Sequence, residues 1–282
     1  MAPTLNLIGA GNVGRVLGHL FALHGQFQVQ QVLTRSAQSA RQAVAFIGAG
    51  GALTGYDQLR PAAVHLLAVG DDQITPACDA LARAVPLKDS IVFHCSGALA
   101  SGSLQAARDA GALVASVHPI RSFADPAAVA AQFSGTFCGV EGDAGALAVL
   151  TPALHAIGAQ PVAIDAAAKT VYHAAAVFAS NYLVTVLDAA LRAYQAAGIP
   201  EPVARRMAQP LAAESMANVF RLGAAAALSG PVARGDMATV ERQRQAVGQW
   251  DAATGDLYQA LVAPTIELAD RKRQATPASL SP

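Results

Sequence analysis

Lys169 and His173 lie four residues apart in the run "AAAKTVYHAAAVFASNYLVTVLDAALRAYQAAG", which puts an amine and an imidazole on one face of a helix. Ser180, eleven residues from Lys169, returns to within about 20° of that face at ~100° per residue, and Asn181 flanks it. Such groups in apolar company can exchange a proton with a bound polar group or hold it in place. A cation there is costly unless it meets a partner, so either a ligand or a structural cause is required. Asn181 reads equally well as an amide bonded to a neighbouring helix. A second imidazole, His118 in "ASVHPIRSF", leaves the end of a strand-like run that Pro119 stops. It is either a hydrogen-bonded packing residue or an acid–base group. Lys169, His173, His118 and Asn181 are the candidate catalytic residues. His94, His118 and His173 match no metal-ligand spacing, so no metal is expected.

Holding these groups requires a scaffold, and the first residues indicate one. "LNLIGAGNVGRVLGHLF" passes from a strand pattern into a helix pattern through Gly9, Gly11 and Gly14. This is the dinucleotide-binding spacing: a tight turn, an open approach for phosphate, and close packing of helix on strand. Ala10, Asn12 and Val13 complete the turn, whose free N–H groups face a diphosphate. At the end of the second strand, where a carboxylate would grip a ribose, stand Thr34, Arg35 and Ser36. Nothing there repels a 2′-phosphate, while a guanidinium and two hydroxyls can bond it, so NADP is expected over NAD. The alternative for Arg35 is an ordinary solvated side chain. Val69, Gly70 and Asp71 in "LLAVGDDQI", and His94, Ser96 and Gly97 in "VFHCSGAL", follow two further strands and are expected at the nicotinamide end. Asp72 reads also as a helix cap.

Around these motifs, short β-rich runs ("LNLIG", "VQQVL", "VHLLAV", "SIVFH", "ALVASV", "TFCGV", "PVAID") alternate with helical or loop segments. That rhythm predicts an α/β, doubly wound, mainly parallel sheet over residues 1–165. From about Ala166 only helical patterns follow, predicting an all-α domain over 166–272 and a loose tail over 273–282. "GAGGALTG" reads as a loop, and "SGPVARGD", Ser229 to Asp236, as a Gly/Pro turn carrying Arg234. Helical surface rich in alanine and apolar residues, more than such a domain buries alone, predicts a homodimer through the helical half.

Composition narrows the classes. The 282 residues are 53% hydrophobic and 13% charged, with 19 basic against 19 acidic side chains. Without a basic excess, no nucleic-acid partner is expected. No uninterrupted apolar stretch reaches the length of a spanning helix, and the start shows no signal-peptide pattern, so neither a membrane nor export is expected and the protein is placed in the cytoplasm. Three cysteines, Cys78, Cys95 and Cys138, follow no ligand spacing and read as reduced thiols.

With "GAGNVG", "AVGDDQI", "HCSGAL", "HPIRSF", the Lys169/His173 helix and "SGPVARGD" in this order, the chain resembles a bacterial family of Rossmann-like proteins whose second half is domain of unknown function 2520. The resemblance implies an NADP-binding Rossmann domain, a helical domain of the 6-phosphogluconate dehydrogenase kind, and dimers. More distantly the chain is similar to β-hydroxyacid dehydrogenases, ketopantoate reductase and pyrroline-5-carboxylate reductase. In the first two a helix carries a catalytic lysine followed four residues later by an asparagine; Lys169 matches the lysine, and His173 stands in place of the asparagine. The expectation is hydride transfer between NADPH and a small carbonyl or imine substrate between the domains, with Lys169 acting on the substrate and His173 or His118 orienting it or serving as acid or base. The alternative is an NADP(H)-binding regulatory or sensor protein without turnover.

Overall fold

A computed structural model describes residues 1–275. Eight strands form one sheet: β1 (Thr4–Ile8), β2 (Gln28–Leu33), β3 (Gly51–Leu53), β4 (Val64–Leu67), β5 (Ile91–His94), β6 (Leu113–Pro119), β7 (Phe137–Gly142) and β8 (Gln160–Ala163). Their order is β3-β2-β1-β4-β5-β6-β7-β8. All neighbours are parallel except β6 and β7, which run antiparallel. The first six strands follow the doubly wound dinucleotide-binding order. Every expected strand is present. The stretch read as a loop at "GAGGALTG" instead contributes the edge strand β3, paired with Gln31–Leu33. A three-residue edge strand has too few positions to show a periodicity of two, which is why it is invisible in the sequence.

The crossover helices α1 (Asn12–Leu23), α2 (Ala37–Ile47), α3 (Asp71–Ala84), α4 (Gln105–Asp109), α5 (Pro126–Ala131) and α6 (Ala144–Ala156) cover the sheet. β4 and β5 are buried at every residue, so they read as unbroken apolar runs around His65 and His94. Two apolar cores result. Leu5, Leu7, Val16, Leu17, Phe21 and Phe93 belong to one, and Ile8, Leu67, Ile74, Leu81, Val92 and Val114 to the other.

From Ala166 the chain is helical: α7 (Lys169–Val177), α8 (Leu183–Ala196), α9 (Glu201–Leu222), α10 (Ala224–Ala227), α11 (Pro231–Arg234), α12 (Met237–Trp250) and α13 (Ala252–Ala275). α13 continues through Ala275, so residues 273–275 of the expected tail are helical, and residues 276–282 lie outside the described residues. In the "SGPVARGD" turn, Gly235 takes φ 75° to close α11, and Asp236 caps α12 by accepting from the Thr239 N–H. Between α7 and α8 the expected single helix widens into a π-helical turn at Phe178–Tyr182. The uniform 100° count therefore does not carry through to Ser180, which is exposed, as is Asn181.

The chain divides into two compact units, Met1–Ser180 and Asn181 onward. The boundary expected at residue 165 falls later because α7 belongs with the sheet: Lys169 and Tyr172 are hydrogen-bonded to residues of β6. The 31-residue stretch Ala166–Ala196 is long and apolar enough, by length and composition alone, to cross a membrane, with a mean hydropathy of 1.5 over its most apolar part.

Candidate functional site

The first turn of the chain is shaped by contact. Gly9 has φ 82°, and a Cβ there would meet Val69 Cγ1 at 2.5 Å and the Ala68 carbonyl oxygen at 2.6 Å. At Gly14 a Cβ would meet Ala68 Cβ at 2.7 Å, so glycine lets α1 pack directly on the end of β4. Gly11 faces open space, where a ligand can approach the backbone. A cavity of about 640 Å³ extends from this turn between Thr34 and Arg35 on one side and Val69 and Gly70 on the other. Such a volume is typical of a small-molecule or cofactor site. Ser36 caps α2 by accepting from the Ser39 N–H, and Thr34 Oγ1 donates to the Ser36 carbonyl. Of the 2′-phosphate candidates, Arg35 is thus the one whose polar group is not spent on local backbone. Arg15, Ser39, Tyr56 and Gln73 also line this cavity and were not singled out in the sequence. Arg15 directly follows the third glycine, a position from which it could have been read.

A second cavity of about 440 Å³ shares Gly11, Ala68, Val69 and Gly70 with the first. Asn12, Val13, Asp71, Ser96, His118 and His173 stand around it. Asn12 donates to the Phe123 carbonyl at 2.6 Å, tying α1 to the loop after β6. Ser96 accepts from the N–H groups of Ala98 and Leu99, and the His94 ring accepts from the Ser96 N–H at 3.1 Å, so the "HCSG" turn is held by its own side chains. At Gly97 a Cβ would collide with both His173 Nδ1 and His118 Nε2, so the two ring nitrogens face one space. The rings stand edge to face, 5.5 Å apart. His173 Nδ1 is buried without a hydrogen-bond partner. His118 Nδ1 lies 2.9 Å from the Tyr172 hydroxyl. Burial, reinforced by His173 and Lys169, lowers the His118 pKa to about 4, so the ring is neutral at pH 7.

Lys169 is not among the residues around this space. It is 1% exposed, donates to Ser116 Oγ, and lies 3.6 Å from Glu141 Oε1. Glu141 in turn accepts from Ser101 at both its N–H and its hydroxyl, each at 2.7 Å. Burial pulls the Lys169 pKa down and the Glu141 carboxylate opposes that pull. The same ammonium, after burial itself, helps to lower the His94 pKa to about 4. The antiparallel β6–β7 pair explains the grouping: Ser116 faces Glu141 and His118 faces Gly139, and directly opposed residues share one side of the sheet. Lys169, Tyr172 and His173, spaced three and four along α7, lie on one face of that helix. Glu141 and Tyr172 escaped the sequence reading. Ser116 had a signal, its spacing of two from His118 on a strand, but Glu141 is placed only by strand register. Burial also pushes the Cys95 thiol up, and the Cys138 thiol up to about 12, so neither is poised as a nucleophile. Asn181 falls in the second unit and is exposed.

Comparison with known proteins bears on this arrangement. Residues 3–119 match the Rossmann-like domain and residues 136–265 match the domain of unknown function DUF2520. The chain carries both domains. The histidine site draws on each: Ser96, Ser116 and His118 come from the Rossmann-like part, and Glu141, Lys169, Tyr172 and His173 from the DUF2520 part. Among solved structures, the Thermotoga maritima protein TM1727 is similar at 27% identity and TM-score 0.74, covering 96% of this chain and 100% of its own. A Bacteroides fragilis protein named as a candidate NADP oxidoreductase is similar at 19% identity and TM-score 0.77, over 94% and 98% of the two chains. The imine reductase of Myxococcus stipitatus, in complex with NADP+, is similar at 15% identity and TM-score 0.68, over 95% of each chain. At 15% and 19% identity the likeness is one of fold. No curated protein matches the chain.

Proposed function

We propose that the chain is an NADP-dependent oxidoreductase acting on a small carbonyl or imine compound. The observation that carries this reading is the union of two cavities at Gly11 and Gly70: one starts at the dinucleotide glycines and passes Arg35, the other ends at two facing histidines. Two proteins of similar fold, a candidate NADP oxidoreductase and an imine reductase in complex with NADP+, lend it support. Gly9, Gly11 and the start of α1 would hold the diphosphate, and Arg35 with Arg15 the 2′-phosphate. The reduced nicotinamide supplies the hydride when bound. The chain's own residues supply position and polarity: His118 and His173 converge on the substrate's polar atom, and Ser96 borders the same space. Lys169 acts from behind, its buried charge compensated by Glu141 and helping to keep His118 neutral.

We further propose a homodimer through the helical half. In the second unit Val184, Leu211 and Phe220 are 66%, 59% and 90% exposed in the single chain, apolar side chains that a second copy would cover. The catalytic reading is tested by NADPH oxidation across a panel of keto acids, aldehydes and cyclic imines. Turnover of any one is expected. Tight NADPH binding without turnover of any panel member would favour a sensor instead.

A further inference from the structure

Tyr172 reaches the end of β6 through a gap in β7. At Gly139, which stands opposite His118 in the antiparallel pair, a Cβ would collide with the phenol oxygen. The ring lies edge to face with His118 at 5.6 Å and 85°. Burial, and after it Cys138, raises the phenol's pKa and keeps it protonated. Among the described residues His118 Nδ1, 2.9 Å away, is the acceptor within hydrogen-bond distance of the phenol, so the phenol's own proton is directed to it. A neutral imidazole that accepts at Nδ1 carries its proton on Nε2. Nε2 is the nitrogen that faces the space over Gly97, where the unpartnered His173 Nδ1 also points.

We propose that Tyr172 is a positioning residue that locks His118 in its Nε2–H tautomer, so that the cavity over Gly97 presents a fixed hydrogen-bond donor to a substrate atom bearing a lone pair. This deepens the oxidoreductase reading and rests on it for its catalytic meaning. The opposite tautomer would turn a bare ring lone pair toward that atom and repel a carbonyl oxygen or an imine nitrogen alike. No carboxylate hydrogen-bonds the His118 ring among the described residues, so the phenol takes the orienting position. The arrangement supplies a neutral donor rather than an imidazolium, which suits polarising an acceptor.

The test reads the tautomer directly. Two-bond ¹H–¹⁵N spectra of the full chain with ¹⁵N-labelled histidine need no cofactor, and His118→Ala identifies the resonance. Near pH 7 the wild type is expected to show a bare Nδ1 and a protonated Nε2. Tyr172→Phe, which keeps the ring and removes the hydroxyl, is expected to give a mixture of tautomers. An Nδ1–H wild type, or an unchanged tautomer in Tyr172→Phe, overturns the proposal, and the wild-type spectrum decides the first point without the variant. A wild type that oxidises no NADPH with any panel member would sink the oxidoreductase reading while leaving the tautomer result standing. With turnover, Tyr172→Phe is expected to lower kcat about tenfold or more with the Kd for NADPH unchanged; unchanged kcat overturns the role. The keto-acid and cyclic-imine arms of the panel distinguish oxygen from nitrogen as the acceptor.

Discussion

Lys169 illustrates how far a side chain's type can be read without its surroundings. From spacing alone it shares a helix face with His173 and needs either a ligand or a structural partner. Its amine is ion-paired with Glu141 and closed off from solvent. Removing one partner leaves the other charge buried and unpaired, so Lys169→Ala is expected to destabilise the fold by about 3–5 kcal/mol, measured by denaturant unfolding. A loss under about 1 kcal/mol would return Lys169 to the substrate side. Arg35 has the opposite character: it is exposed beside the first cavity. Arg35→Ala is expected to narrow the preference for NADPH over NADH by ~1–3 kcal/mol in paired titrations, with thermal stability unchanged. Equal affinities in the wild type would refute the preference itself.

At the scale of elements, the site is the meeting of four strand ends with one helix: the turns after β1 and β4, the "HCSG" turn after β5, the end of β6, and α7. At Gly97 the turn after β5 meets a histidine from β6 and one from α7. Gly97→Ala introduces a methyl where His173 Nδ1 and His118 Nε2 now converge. The expected result is a folded chain with NADPH affinity retained and kcat/KM lowered at least about tenfold. Full activity in this variant would mean that the two rings do not define the reacting space. The β-strands, the glycine turn and the helical start at Asn12 were legible because each depends on local spacing. The three-residue β3 and the π-turn at Phe178–Tyr182 were not, since one is set by pairing and the other by a local change of helical pitch.

For the whole molecule, burial of neutral histidines has a pH consequence. His65 and His94 are fully buried, and burial lowers the pKa of each to about 4 from 6.5. Between those values the unfolded chain binds protons that the folded chain does not, so their contribution is complete above pH 6.5 and is lost as pH falls toward 4. At ~1.4 kcal/mol per unit, the loss across that window amounts to a few kcal/mol for each residue. Chemical denaturation at stepped pH is expected to show it, and a flat stability from pH 7 to 4 would contradict it. The exposed apolar side chains of the helical half predict assembly as well. Light scattering at micromolar concentration is expected to give twice the 28.7 kDa of one chain, and a monomer mass rejects the dimer.

What the sequence by itself determined are the features written in short-range pattern: glycines at 9, 11 and 14 where a strand meets a helix, a missing carboxylate at Thr34–Ser36, and the change from mixed to helical rhythm near Ala166. Each follows from steric or periodic rules that act over a few residues. Only the tertiary structure decided which polar groups meet. Ser116 and Glu141 become neighbours through antiparallel register, Lys169 is drawn to them from 28 residues beyond Glu141, and Tyr172 reaches His118 because Gly139 leaves the space. A buried charge is placed by whatever counter-charge the folded chain brings to it, and that partner is a property of the assembled sheet rather than of spacing along the helix.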